Sequence, residues 1–478
     1  MDNAILTLKA EGFKCFEREI YTEKLKECVA ETVETLKQFD DQLLEEAKQL
    51  GWRNKGFRNT TVRTVFGEVE FRRRVYEEVN EKGEKSYRYM LDERLGLGKI
   101  GEISENLADV VVKLASVESF KACSEDIAEL TGEYLSPSGV WGIVQKTGEE
   151  ITAREDQLVK INTECELQGN IESDVLFEEA DGIYIPLQGK ERKKTGKRSE
   201  EIKSSISYTA WKEEGKNRFS LQNALSVAGI ENSKDFQMRR EAVIANKYNL
   251  TSVTARILNG DGGAWIKQVV DDSTIFQLDP FHRNKAITSL VHDPKAAAKI
   301  KGLINEGKID DMFSFLRMYI DSIDDSEETS NAEELYSYLK NNEDGLLDYR
   351  IQEPCLPDCP AGFVYRNLGT MENHNSLIIA RRMKHNHTTW SKKGANNMAK
   401  ILAAKFSGSL NEAVHDIFAH DLTNNNTEKP LKRRTRTSCG RIAKREGKGY
   451  EYPVKGSFTP VQGPLRGTWA NISGINGT

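Results

Sequence analysis

The stretch from Asp174 to Gln188, DVLFEEADGIYIPLQ, constrains this chain more than any other, because it sets β-branched and aromatic residues on both faces of an extended segment. Such a segment belongs inside a sheet covered on both sides. Asp181 stands in its middle, where an unpaired carboxylate costs several kcal/mol unless a cation or hydrogen bonds offset it. SSISYTAWK, RFSLQNALSV and VTARILNGD read as three further strands, NSKDFQMRREAVIANKYNL as a helix between the last two, and TIFQLD as a short fifth strand. Residues from about 294 to 350 are mostly helical in pattern, and helix resumes at TMENHNSLIIARRMK. This order predicts a mixed α/β unit over 169–425 with a helical insertion at about 294–350.

Upstream, YTEKLKECVAETVETLKQFDDQLLEEAKQL spaces Val29, Val33, Leu36, Phe39, Leu43 and Leu44 as one face of a helix, within a helical region spanning 1–50. In the next region, 51–98, TTVRTVFGEVEFRRRVYEEV alternates about Gly67 as a β-hairpin does. Its Arg63, Arg72, Arg73 and Arg74 are cationic forks suited to phosphate, or else guards of a solvated edge strand. Residues 99–168 read as helical. There one helix ends near Thr131 and Gly132, and Ser136 caps another that has Pro137 at its first position. This outline fits a helix-turn-helix, with Ser138, Gln145 or Lys146 toward a DNA groove and Val140, Ile143 and Val144 inward; a plain helical bundle fits it too.

The net charge of −6 does not mark a nucleic-acid binder as a whole. Charge acts locally, however, and this chain segregates it. Cations crowd the loop after the first strand, including Lys193 and Lys194, and recur at Arg381 and Arg382. The tail 426–478 carries Arg433 and Arg434 among many others. Seven scattered cysteines make a disulfide framework unlikely, and Cys355 with Cys359 supplies half of a zinc site at best. No apolar run is long enough to cross a bilayer, and the start lacks a secretory pattern, so a cytoplasmic protein without a membrane partner is expected.

Two further acids share the special placement of Asp181. Asp261 lies where the strand in ARILNGDGGAWIK gives way to a glycine turn, and Glu372 falls in the first turn of a helix opened by Thr370. Converging, the three would form an oxygen-rich site for two magnesium or manganese ions about 3.5–4 Å apart, suited to displacement at phosphorus. Taken singly, each acid also reads as a helix cap or a structural ion-pair partner, and Glu353 and Asp358 compete with Glu372 for the third place. Asp279 and His282 follow the fifth strand in LDPFHRNK, where the histidine would reach a phosphate or simply pair with the aspartate. His374, His385 and His387 read as DNA-facing or solvated, and Trp390 as a core residue.

EADGIYIPLQ, LNGDGGAWIK, LDPFHRNKAI and GTMENHNSLIIARRMKHNHTTWSKKGANNMAKIL, with FRNTTVRTVFGEVEFRRRVYEE and the paired helices upstream, together resemble the insertion-sequence transposases of the ISLre-two type, in the Mutator-like group of DDE transposases. The resemblance spans about Arg58 to Leu402. It implies an RNase H-like core, catalytic metal ligands at Asp181, Asp261 and Glu372, and an active-site role for His282 supported by Asp279. It also implies binding to double-stranded DNA at the terminal repeats of an element, strand cleavage freeing a 3′-hydroxyl, transfer to target DNA, and a homodimer or larger assembly at the bacterial nucleoid. A DNA-binding protein without catalysis, or a nuclease that cuts without joining, would share much of this sequence pattern.

Overall fold

The computed structural model describes residues 12–80, 83–97, 102–164, 167–268, 274–353, 356–385 and 388–419. The basic tail with Arg433 and Arg434, together with Cys355 and His387, lies outside these residues.

The helix α1 (Phe13–Gln49) is followed by β1 (Arg53–Thr64), β2 (Gly67–Val79) and β3 (Lys85–Arg88). β1 and β2 form an antiparallel hairpin closed at Thr64 and Gly67. Its apolar face, Val62, Val69, Phe71 and Tyr76, packs on Leu43 and Ala47 of α1, with Val29, Val33, Leu36, Phe39 and Leu44 around them. The face read from helical spacing is therefore the face that is covered. Two of the hairpin arginines serve this packing. Arg74 pairs with Asp40 at 2.7 Å and Asp41 at 2.6 Å, and Arg73 pairs with Asp92 at 2.5 Å while stacking on Tyr89. The expectation that both face DNA is corrected: only about a tenth of either side chain is exposed, and each charge is already matched. Arg72 is exposed over Phe57, and Arg63 is half-buried beside Glu68.

Next come α2 (Glu105–Ala115), α3 (Phe120–Thr131) and α4 (Pro137–Glu164). α3 ends at Gly132 in the left-handed conformation, φ 73°, which glycine adopts without a Cβ penalty. Val140, Ile143 and Val144 are buried as expected. Gln145, expected toward a DNA groove, is buried as well, and its Oε1 accepts a hydrogen bond from Asn397 Nδ2 at 2.8 Å. Ser138 and Lys146 are exposed. These helices share one core with α13 (Lys392–Ser407) and α14 (Leu410–Ala419), which return from the far end of the described chain.

The sheet comprises β4 (Val175–Pro186), β5 (Ser199–Tyr208), β8 (Leu225–Gly229), β9 (Ala255–Gly260) and β10 (Thr274–Leu278), in the order β10-β9-β4-β5-β8. β5 is antiparallel to both neighbours, whereas β4, β9 and β10 run parallel. SSISYTAWK and RFSLQNALSV each divide. Their outer halves, β6 (Ala210–Gly215) and β7 (Arg218–Gln222), form a separate hairpin, and Asn223 (φ 54°) turns the chain back into the main sheet. The stretch after β4, expected as a loop, contains the short helix α5 (Gly189–Thr195).

One face of the sheet receives α6 (Ser233–Lys247), whose Ile244 meets Leu176 of β4. After β10 come α7 (Pro280–Leu290), α8 (Pro294–Asn305), α9 (Ile309–Asp321) and α10 (Ser326–Asn341), built on Ile287, Ile300, Leu316 and Leu335 and joined to Leu258 and Phe276 of the sheet. The opposite face carries a helix of three consecutive parts: α11 (Thr370–His374), a π-helical segment (Asn375–Ala380) and α12 (Arg381–Met383). No helix among the described residues is long and apolar enough to cross a membrane.

Candidate metal centre at the end of the central strands

The parallel register that pairs Ala180 of β4 with Gly260 of β9 brings Asp181 and Asp261 side by side at one end of the sheet. Asp181 Oδ1 accepts from the backbone of Gly182 at 2.7 Å, and Oδ2 from Asn375 Nδ2 at 2.9 Å. Burial holds this carboxyl above its ordinary pKa and the charge of Asp261 adds to the effect, against the opposing pull of His282 and of the two hydrogen bonds. Asp261 Oδ1 accepts from the backbone of Gly263 at 2.8 Å and so shapes its own turn. Gly262, between them, sits at φ +86° with Asn342 packed where a Cβ would lie, and Tyr338 donates to the carbonyl of Asp261 at 3.2 Å. The helical insertion thus buttresses the Asp261 turn.

Glu372 lies in the first turn of α11, as its sequence position implied, but Thr370 does not cap the helix through its side chain. Glu179 does that work from the neighbouring strand. It is fully buried, and its carboxylate accepts from the backbone amides of Gly369 (2.9 Å), Thr370 (3.1 Å) and Met371 (3.2 Å), from Asn259 Nδ2 (3.0 Å) and from the Tyr208 hydroxyl (2.6 Å). A carboxylate at a helix N-terminus satisfies orphan amides and complements the helix dipole. Because Glu179 and Asp181 alternate onto the same face of β4, one strand both anchors the helix and supplies an acid to the site. Sequence reasoning missed Glu179; the only signal was a second buried-strand acid in FEEAD, two residues before Asp181.

Asp279 caps α7 and accepts from the His282 backbone (3.0 Å), from His282 Nδ1 (2.9 Å) and from Asn259 Nδ2 (3.0 Å). Burial pushes the Asp279 carboxyl up, but these hydrogen bonds outweigh it and hold its pKa below the usual value. The same bond raises the His282 pKa against the effect of burial, and the charges of Asp181, Asp279 and Asp261 raise it further. With Nδ1 engaged, Nε2 is the nitrogen left for other contacts. Ligand atoms of Asp181, His282 and Glu372 all lie within 4.8 Å of one another. The tight set is therefore two of the expected acids plus the histidine. Asp261 stands beside it rather than in it, and neither Glu353 nor Asp358 joins it. The Glu372 carboxylate is exposed and takes no hydrogen bond or ion pair from the described residues. Anionic oxygens facing one another, one of them unpartnered, with a histidine alongside, form a donor set suited to a hard divalent cation.

The other expected residues lie apart from this group. Lys193, Lys194 and Arg381 are exposed. Arg382 is buried: its Nε donates to the carbonyl of Ala115 at 2.7 Å, the guanidinium stacks on Phe120 and Trp390, and burial lowers its pKa to about 10. It fastens α12 to the helical bundle and is not available to DNA. His374, expected at a DNA-facing or solvated position, is also buried; Nε2 meets the Ser226 hydroxyl at 3.0 Å, and burial lowers its pKa to about 4. Trp390 is in the core, with its indole donating to the carbonyl of Met383 at 2.9 Å. Cys359 is half-buried and joins no metal-ligating cluster among the described residues.

Fold and site together describe a mixed α/β protein with an acidic centre at the ends of its parallel strands. The chain belongs to the uncharacterised protein family UPF0236, which matches residues 8–416. It is 26% identical over 359 residues to the UPF0236 protein TTE2489 of Caldanaerobacter subterraneus subsp. tengcongensis, covering 73% of this chain and 69% of that one. A second relative from that bacterium, 26% identical over 354 residues (73% of this chain, 68% of the relative), carries eleven designations from the single strain in its name. The UPF0236 protein in the vanSb 3′ region of Streptococcus gallolyticus is 24% identical over 398 residues, covering 82% of this chain and 80% of that one.

Proposed function

We propose that this chain is a DNA transposase with an RNase H-like core, which cleaves DNA at the ends of its own element and transfers the freed 3′-hydroxyl to target DNA. The observation that carries the reading is the meeting of Asp181, His282 and Glu372 within 4.8 Å, with Asp261 at the neighbouring strand end. β4 lies at the centre of the sheet, with antiparallel β5 and then β8, which runs in the direction of β4, on one side and parallel β9 and β10 on the other. This mixed five-stranded sheet, followed by a helical insertion, supports the RNase H-like core implied by the resemblance to ISLre-two type transposases. The eleven designations borne by one relative fit a sequence present in many copies of one genome, as mobile elements are.

In this reading Asp181 and Glu372 hold magnesium or manganese, and Asp261 contributes from the adjoining turn. Bound there, the divalent ions would activate the attacking hydroxyl and offset charge on the leaving oxygen. Asp279 fixes the ring of His282, which presents Nε2–H to an oxygen of the scissile phosphate. Glu179 positions Glu372 against Asp181. The proposed DNA contacts are Arg63, Arg72 and Lys146 on the N-terminal elements, Lys193, Lys194 and Arg381 near the core, and the arginines of the tail; the paired helices α3 and α4 serve as a helix-turn-helix.

The test uses duplexes copied from both borders of the genomic segment that encodes the chain, incubated with the full protein, a supercoiled target and either magnesium or manganese. Cleaved and joined products are expected from the wild type and neither from Asp181→Asn. Cleavage without joining of a pre-cut end would establish a nuclease instead, and equal end binding by both proteins without any cleavage would establish a silent DNA-binding protein.

A further inference from the structure

β4 and the Glu372 helix run side by side away from the acidic centre. Asp181 meets Asn375 near one end, Ile183 and Ile185 join the same core as Ile379 and Met383, and at the far end Leu187 pairs with Trp390. That pairing is fastened by Gln188 N donating to the Trp390 carbonyl at 2.8 Å and by Trp390 N donating to the Pro186 carbonyl at 3.1 Å. Two sets of exposed cations are thereby brought to one place. Lys190, Arg192, Lys193, Lys194, Lys197 and Arg198 lie on or just after α5, which begins one residue past Gln188; Arg381 and Lys384 end the Glu372 helix, beside Thr388 and Trp390. None of the eight is in an ion pair with a described residue, and Arg192, whose Nε donates to the Leu187 carbonyl at 2.8 Å, remains exposed. Arg73 and Arg74 of the hairpin are instead ion-paired, and Arg382 of the helix end is buried. Unmatched cations gathered on a fixed scaffold are what a polyanionic backbone selects.

Geometry gives the surface a register. Six residues of strand from Asp181 to Leu187 span about 20 Å. Twelve residues of helix from Glu372 to Lys384 span about 18 Å. At about 3.4 Å per base pair, this is five to six base pairs, or about half a turn of duplex.

Building on the transposase reading, we infer that α5 and the end of the Glu372 helix form a track for the phosphates of duplex DNA about five to six base pairs from the bond held at Asp181 and Glu372. The cations would lock one arm of the substrate in phase with the acidic centre.

The test uses duplexes carrying the element border, with each arm trimmed in turn to 3 or extended to 10 base pairs beyond the cut. Binding is followed by fluorescence anisotropy across a salt series, and cleavage is followed in magnesium. Extending one arm past the track should raise wild-type affinity roughly tenfold. In Lys193→Glu/Lys194→Glu, and independently in Lys190→Glu/Lys197→Glu, that gain should fall to about onefold, and the salt slope on the long-arm duplex should drop by about 2. Unchanged circular dichroism melting identifies folded variants. Border cleavage by the wild type with a gain that survives both charge reversals overturns the track alone, as does a loss that is equal on short and long arms. A wild-type protein that neither binds nor cuts any border duplex overturns the transposase reading as well.

Discussion

Asp181 and Asn375 are joined by a 2.9 Å hydrogen bond that ties the acid on the central strand to the residue at which the Glu372 helix widens from α to π geometry. Asn375 is buried, and Glu372 lies three residues before it. The spacing between the strand acid and the helix acid is therefore set by the protein and not left to a ligand. Preorganisation of this kind places the carboxylates before any cation arrives.

A first consequence concerns metal. Magnesium or manganese at about 100 times its dissociation constant should stabilise the wild type by about 2.7 kcal/mol, read as a rise in melting temperature over protein in EDTA. Asp181→Asn and Glu372→Gln should each lose most of that rise. An equal rise in all three proteins would place the ions elsewhere.

Glu179 carries more hydrogen bonds than any acid of the site, and the carboxylate that receives them is fully buried. Glu179→Ala should cost about 3 kcal/mol or more in urea unfolding, because it leaves amides at a helix start without an acceptor. Glu179→Gln should cost less, since one amide oxygen still accepts. Equal costs for the two would mean that volume and not hydrogen bonding sets the effect.

Lys400 on α13 is fully buried between Glu155 of α4 (2.6 Å) and Glu231 (2.8 Å), joining the helical bundle to the edge of the sheet. Lys400→Met keeps the volume but leaves Glu155 and Glu231 only the longer contacts of Arg239, 3.5 Å to each, so a loss of about 3 kcal/mol is expected. Adding Glu155→Gln and Glu231→Gln should recover part of it. Independent, additive losses would show that the three groups do not act as a network.

His374 predicts a pH dependence. Its folded pKa, lowered by burial to about 4, lies below the ordinary value of 6.5, so folding favours the neutral ring. The contribution is complete above pH 6.5 and is lost as pH falls toward 4, amounting to about 3 kcal/mol. Comparing wild type with His374→Gln in EDTA from pH 7 to 4 isolates this group. Parallel stability curves would show that the histidine does not titrate with unfolding.

Legibility in the sequence followed the range of the interactions involved. The hairpin about Gly67, the buried face of α1 and the acids at Asp181 and Asp261 declare themselves through period and placement, which are local properties. The uses of Arg73, Arg74, Arg382 and Gln145 do not, because their partners Asp92, Asp40, Ala115 and Asn397 lie 19 to 267 residues away in the chain. A surface cation and an internal one look alike until the chain is folded. Glu179 was hidden for the same reason, since the amides it caps are about 190 residues distant. The division of two apparent strands at Thr209 and Asn223 escaped notice because both halves are apolar enough to belong to one strand.

The six-residue π segment implies an asymmetry in how this region tolerates changes of length. A π turn holds one residue more than the α turn it replaces, and it lets Asn375 face the strand acid while Arg382 still faces the bundle. Deleting one residue there would give a more regular helix and a locally better hydrogen-bond ladder. It would also rotate one end by about 100° against the other, so that the acid and the anchor could no longer both be seated. Lineages of this gene should therefore vary freely in the identity of the outward residues of this segment while keeping its length fixed.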